Sequence, residues 1–296
     1  MDLKEIGVLG AGTAGKGIIR SLAGSGMTVI FREISSEKIA EALQEISDGL
    51  DYEISRWGIT ESEKRLILSR VTGTTDLRKM EGCQVIIEAV PGTIEHKQDI
   101  FEELDAFFAR DTVLVSNSSA LCISDIARKA RHPERVAGMH FSIPVPRRPI
   151  VELVRGRHTS DETMERIRVL SKIMKKTIIE VFEMPGLITT RIMIPYVNEA
   201  MHIVMEGLAT PDQVDMAIRL GFKLPIGPLA MADRMGLDTL LRNMERVFRA
   251  LGELQYRPCP LLRRMVREGH LGVKTRRGFF CYDKNGKIIG VPEGAL

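Results

Sequence analysis

The chain has 296 residues, 44% of them hydrophobic, and a formal net charge of +3. At about 100–200 residues per domain, that is material for two domains with buried cores. The near balance of charge, with no segment concentrating Lys and Arg among aromatics, argues against nucleic acid as the main partner and leaves small anionic ligands open.

The N-terminal segment runs into an apolar strand, Ile6–Leu9, without a charged leader or cleavage site. Gly10-Ala11-Gly12-Thr13-Ala14-Gly15 follows and opens a helix. A second strand, Thr28–Phe31, ends just before Glu33. Ile39, Leu43, Ile46, Leu50 and Ile54 then recur at helical spacing, and Thr60 with Glu63 offers a capping box for the next helix. Further strands are expected at Val85–Glu88, Val113–Ser116, Val136–His140 and Ile150–Val154. This strand–helix alternation predicts an α/β fold, a parallel sheet with helices on both faces. After Met184-Pro185-Gly186 the strand-like runs vanish. Helical patterns continue through Ile188–Met205, with Pro195 as a site for a kink, then Pro211–Arg219 and Ala230–Leu251. The domain boundary is placed at residue 186, with an all-helical domain over 187–296.

No apolar run approaches the roughly 20 residues of a membrane span, so no membrane partner is expected. Cys83, Cys122, Cys259 and Cys281 form no CxxC pair and have no zinc-like His spacing. They read as reduced thiols of a soluble, cytoplasmic protein, and no metal is expected. The 15 Met residues read as fillers of core or of a subunit interface.

The three glycines of the first turn have separate uses. Gly10 permits the tight turn, Gly12 lets backbone approach a pyrophosphate, and Gly15 lets the helix lie close on the strand. The helix N-terminus offers N–H groups and a positive dipole end to phosphates. Glu33, about 20 residues on, stands where an acid binds the ribose hydroxyls of NAD and repels the extra phosphate of NADP. Arg32 beside it keeps NADP as the alternative.

Ligands of open α/β sheets bind beyond the carboxyl ends of the strands. One later strand runs into Ser116-Asn117-Ser118-Ser119 and another into His140. A third, Ile150–Val154, carries Glu152 inside an apolar run. Burying that carboxylate alone would cost several kcal/mol, so it needs a donor or solvent. His140 is a plausible donor, and a His oriented by a carboxylate is a general base. Spacing alone leaves the second reading open, in which Glu152 faces solvent and His140 is an ordinary loop histidine.

Gly138-Met139-His140-Phe141, Pro144-Val145-Pro146 and Val151-Glu152-Leu153-Val154-Arg155-Gly156 together resemble the signature of the 3-hydroxyacyl-CoA dehydrogenase family. The likeness covers essentially the whole chain, through Glu88-Ala89-Val90-Pro91, Pro185-Gly186, Gly236-Leu237-Asp238 and Gly278-Phe279-Phe280. It is strongest toward short, single-function 3-hydroxybutyryl-CoA dehydrogenases. The resemblance implies a Rossmann-like NAD-binding domain, a helical substrate and dimerisation domain, a homodimer and an acyl-CoA substrate. It implies His140 as catalytic base, Glu152 as its paired acid and Ser119 as a hydroxyl contacting the substrate oxygen. Thr13, Ala14, Ala89, Val90, Lys97, Asn117 and Lys274 match positions near the dinucleotide, beside Gly10, Gly12, Gly15 and Glu33.

The chain departs from the family pattern at some places. Ser142-Ile143-Pro144 stands where the family has Phe-Asn-Pro, and Thr190 stands where it has Asn. Both positions belong to the implied substrate site. Gly92 replaces an acid, and the helix around Tyr52 and Arg56 lacks most of the lysines expected near the nucleotide end of coenzyme A. These changes leave two other readings: an NAD-dependent dehydrogenase of a free hydroxy acid, of the gulonate or carnitine type, or an NAD-binding sensor with little activity.

Overall fold

The six expected strands form, and two more join them at the edges of one sheet, in a computed structural model that describes residues 3–56 and 58–292. The first compact unit, Met1–Met184, runs β1 (Glu5–Leu9), α1 (Thr13–Gly24), β2 (Thr28–Arg32), α2 (Ser36–Ile54), α3 (Glu61–Leu68) and β3 (Val71–Thr74). It continues with β4 (Val85–Glu88), α4 (Ile94–Phe107), β5 (Val113–Ser116), α5 (Ile123–Ile126) and β6 (Val136–Phe141). It closes with β7 (Ile150–Arg155), α6 (Asp161–Ile173) and β8 (Thr177–Phe182). The strand order is β3-β2-β1-β4-β5-β6-β7-β8. All four residues of β4 and of β5 are buried, as expected of central strands covered on both faces.

Local chemistry explains the elements. Ala42, Ile46 and Leu50 are the buried face of α2, and each large apolar side chain contributes about 1.5–3 kcal/mol by leaving water. The capping box opens α3: Thr60 Oγ1 accepts from the Glu63 N–H at 3.2 Å, and the Thr60 N–H donates to Glu63 Oε2 at 2.7 Å. Alternate strand residues such as Ile6, Val8, Val85, Ile87, Val115 and Met139 meet α1, α2 and α6 in one core.

The expected all-parallel sheet is corrected at one pair. β7 runs antiparallel to β6, and β8 follows β7 in parallel. Only residues 142–149 join β6 to β7, and a parallel crossover needs a dozen or more residues. The turn-back sets His140 directly opposite Glu152.

The second unit, Pro185–Leu296, contains α7 (Thr189–Met205), α8 (Pro211–Gly221), α9 (Pro228–Met235), α10 (Leu237–Leu251) and α11 (Pro260–Arg267). The unit begins at residue 185, two residues before the boundary read from sequence. Pro195 lies inside α7. The stretch read as one helix over Ala230–Leu251 is two, parted at Gly236, whose φ of +86° ends α9. The unit is also not wholly helical: β9 (Cys281–Tyr282) and β10 (Ile288–Gly290) form a small antiparallel pair. That hairpin is tied to α9 by Asp233, which is fully buried and accepts from the Phe279 N–H, the Phe280 N–H and the Tyr282 hydroxyl, each at 3.0 Å. Burial pushes the Asp233 carboxyl up to about 7 against the pull of those three donors.

Candidate active site

The turn between β1 and α1 shows why its glycines are there. Gly10 has φ +84°, and a Cβ on it would stand 2.9 Å from Val90 Cγ2. A Cβ on Gly15 would sit 1.9 Å from the Gly10 carbonyl oxygen, a backbone atom that cannot step aside. A Cβ on Gly12 would meet no atom within 4 Å among the described residues, so the protein's own packing does not demand that glycine. No described side chain caps α1, and its first turn holds no acid, so the amides from Thr13 to Gly15 carry the helix's positive end toward any anion placed there. Glu33 is beside this turn: its Oε1 accepts from the Ala11 N–H at 2.5 Å and its Oε2 from the Ile34 N–H at 3.3 Å. Arg32 sends its Nε to the Thr75 carbonyl at 3.3 Å. These residues fit a pyrophosphate over Gly12 and a ribose at Glu33. Gly15→Ala is accordingly expected to abolish NADH binding, with a fluorescence titration as the measurement; retained binding would mean the turn is not the phosphate site.

At the other strand ends the parallel register places Glu88 beside Ser116 and Ser116 beside Gly138. Side chains alternate along a strand, so His140 shares a sheet face with Gly138. Its partner across the antiparallel ladder is Glu152. Glu152 is 1% exposed and His140 15% exposed, and Nδ1 lies 2.7 Å from Glu152 Oε2. A carboxylate only accepts, so the shared proton resides on Nδ1 and the ring's Nε2 lone pair is free for a substrate proton. Both readings left open by spacing are thereby decided as geometry: Glu152 is buried and paired.

The other expected site residues are spread over both units. Ala89 and Val90 border the glycine turn, as their contacts with the Gly10 and Gly15 positions show. Asn117 and Ser119 lie on the loop after β5, where Asn117 Oδ1 accepts from the Phe141 N–H at 3.1 Å. This bond ties that loop to the strand holding His140. Ile143, half exposed, lies on the β6–β7 loop. Thr190 and Lys274 belong to the second unit: Thr190 is buried in the first turn of α7, and the Lys274 ammonium is bonded to Asp238. Lys97 does not face solvent. It is 5% exposed, and its ammonium donates to both oxygens of Glu88 and to the Val90 carbonyl. Glu88 and Ser116, to which the sequence motifs give no role, are both fully buried and bonded to each other at 2.9 Å. The signal that could have singled them out is a carboxylate ending an apolar strand with a Lys one turn into the following helix.

Residues 5–184 match the 3-hydroxyacyl-CoA dehydrogenase NAD binding domain, and residues 186–282 match the C-terminal domain of the same family. The chain belongs to the 3-hydroxyacyl-CoA dehydrogenase family. It is 39% identical over 284 residues to a Bacillus subtilis protein named probable 3-hydroxybutyryl-CoA dehydrogenase, covering 96% of this chain and 99% of that one. Its structure is similar to the crystal structure of M. tuberculosis FadB2, with TM-score 0.92 and 36% identity over 96% of this chain and all of that one. It is also similar to the (S)-3-hydroxybutyryl-CoA dehydrogenase PaaH1 of Ralstonia eutropha, with TM-score 0.86 and 37% identity over the same shares. Membership in this family makes the chain an NAD-dependent oxidoreductase, with the cofactor bound by its first unit.

Proposed function

We propose that this family member oxidises the C3 hydroxyl of a short 3-hydroxyacyl-CoA, 3-hydroxybutyryl-CoA above all, and reduces the corresponding ketone in the reverse direction. The observation that carries the reading is the His140–Glu152 pair at 2.7 Å, on the face and at the strand ends where this fold binds ligands. The relatives named above for 3-hydroxybutyryl-CoA support the substrate class.

NAD, when bound, accepts or supplies the hydride. The chain's own residues do the rest. His140 Nε2 takes the proton of the substrate hydroxyl, and Glu152 holds the ring in the Nδ1–H tautomer and stabilises the imidazolium that forms. In the reverse direction the imidazolium returns that proton to the developing alkoxide. Acid–base help of this kind contributes about 10²–10⁴-fold. Ser119 is assigned to the substrate oxygen, Ile143 and Thr190 to the substrate site, and Lys274 to the neighbourhood of the dinucleotide. The first unit is assigned to the cofactor and the second to substrate and to a homodimer. Leu208, Leu220 and Phe222, each at least 70% exposed, offer that second unit an apolar surface for a partner copy. Among the described residues no helix is long and apolar enough to cross a membrane, and the four cysteines are free; we assign the protein to the cytoplasm.

NADH consumption with acetoacetyl-CoA, run beside acetoacetate and with NADPH as cofactor control, tests the proposal. NADH-specific turnover of the thioester alone is expected. Turnover of acetoacetate in its place would move the substrate to a free hydroxy acid, and Ile143 and Thr190 would then mark the change. NADH binding without turnover of either would leave the sensor.

A further inference from the structure

We infer that Lys176 is a positioning residue for the substrate: its buried ammonium pins the turn between β6 and β7, and the pinned turn presents Ile143. The inference rests on the assignment of Ile143 to the substrate site made above.

Lys176 is 8% exposed. Among the described residues the partners of its ammonium are two backbone carbonyls, Val145 at 2.6 Å and Arg148 at 2.8 Å, and no carboxylate. A buried cation is normally matched by an anion, because carbonyl dipoles return only part of the solvation that it gave up. Burial accordingly holds this ammonium below the ordinary lysine range. An apolar side chain would fill the same space without that cost. What it could not do is hold two carbonyls of one turn.

Both ends of this contact are fixed. At the end of α6 the Lys176 N–H donates to the Ser171 carbonyl at 3.0 Å and the Lys175 N–H to the Lys172 carbonyl at 2.9 Å, with Lys175 at φ +54°. This is the Schellman arrangement, whose left-handed position usually holds glycine. Thr177 then opens β8, and its N–H donates to the Pro149 carbonyl at 2.5 Å. In the turn itself the Pro144 carbonyl accepts from the Arg147 N–H at 3.0 Å and the Arg148 N–H at 3.1 Å. Residues 144–148 thus make one helical turn, and Lys176 stands at its carbonyl end, where a cation is favoured. On α1, a Cβ on Gly17 would lie 3.0 Å from Val145 Cβ, so the turn is held between that helix and Lys176. Ile143 is the residue just before it. His140 and Glu152 are held separately, by the ladder that pairs Gly138–Phe141 with Val151–Val154. Loosening the turn therefore acts on substrate binding and spares the acid–base pair.

The test compares Lys176→Met and Lys176→Arg by steady-state kinetics, NADH titration, thermal melts and amide hydrogen exchange. Lys176→Met is expected to raise KM for acetoacetyl-CoA about tenfold, with kcat within about threefold and the NADH Kd unchanged. Lys176→Arg, which keeps a charged donor, should recover most of that KM. The Arg147 and Arg148 amides should exchange faster in the Met variant, while those of β6 and β7 do not. A merely structural lysine would lower the melting temperature and leave KM of the folded protein alone, which overturns the inference. A fall in kcat at constant KM overturns it equally, since the acid–base pair would then have moved. Should Lys176→Met fail to fold, Lys176→Gln decides, because its shorter, uncharged amide cannot serve both carbonyls. A KM about threefold higher is then expected, and an unchanged KM counts against the pin. If the unaltered protein turns over acetoacetate in place of the thioester, the same comparison is made with that ketone. If it turns over neither, the substrate reading has failed on its own, and exchange decides the pin: unaltered exchange at Arg147 and Arg148 in the variant overturns it.

Discussion

Replacing His140 by Ala or Asn is expected to lower kcat in either direction by about 10²–10⁴-fold while leaving the NADH Kd unchanged. The two variants separate the base from the hydrogen bond. Asn can place its amide nitrogen near the position of Nδ1 and keep a donor toward Glu152, but it has nothing to stand for Nε2. If the proton acceptor is the essential group, Asn will be as inactive as Ala. NADH binding should survive in both, because the glycine turn and Glu33 lie on β1, α1 and the end of β2. Steady-state rates with a fluorescence titration on the same preparations check this. Turnover within a few-fold of the unaltered protein would remove His140 from the mechanism.

The second large effect is expected at Glu152. Glu152→Gln keeps the volume of a side chain that is 1% exposed, so the fold should tolerate it better than a truncation. Its amide nitrogen, turned toward Nδ1, would favour the tautomer that accepts at Nδ1 and carries the proton on Nε2. That ring cannot take a proton from a substrate hydroxyl. An amide also no longer offsets the charge of the imidazolium. A fall in kcat of about 10²–10⁴-fold is expected, on the pattern of His–carboxylate pairs elsewhere, with KM for the acyl substrate and the NADH Kd nearly unchanged. A variant that lost affinity and kept kcat would show Glu152 to be part of a binding surface, and the paired-base assignment would fall.

Much of the fold was legible because its signals are local. The buried central strands read as continuous apolar runs, the face of α2 as a helical period, and the start of α3 as a capping box. The edge strands were not legible. β3 is four residues containing two Thr and a Gly, and β8 is only half buried along its length; each is a strand because of the neighbour it bonds to. α9 and α10 share one helical period, and only the positive φ at Gly236 parts them. The hairpin of the second unit depends on Asp233, whose three donors come from residues more than 40 positions away.

By itself the sequence determined the glycine turn, the acid that follows β2, the succession of an α/β unit and a helical one, and the ordered motifs that mark the family. Each depends on residues a few positions apart, or on a spacing that one strand and one helix enforce. The tertiary structure alone decided the rest of the site. Glu152 meets His140 because a short connection turns β7 back along β6. Lys97 meets Glu88 and Val90 because α4 folds its first turn over the ends of β4 and β5. Register and the partner of a buried charge are long-range quantities, fixed when strands pair and a helix covers them.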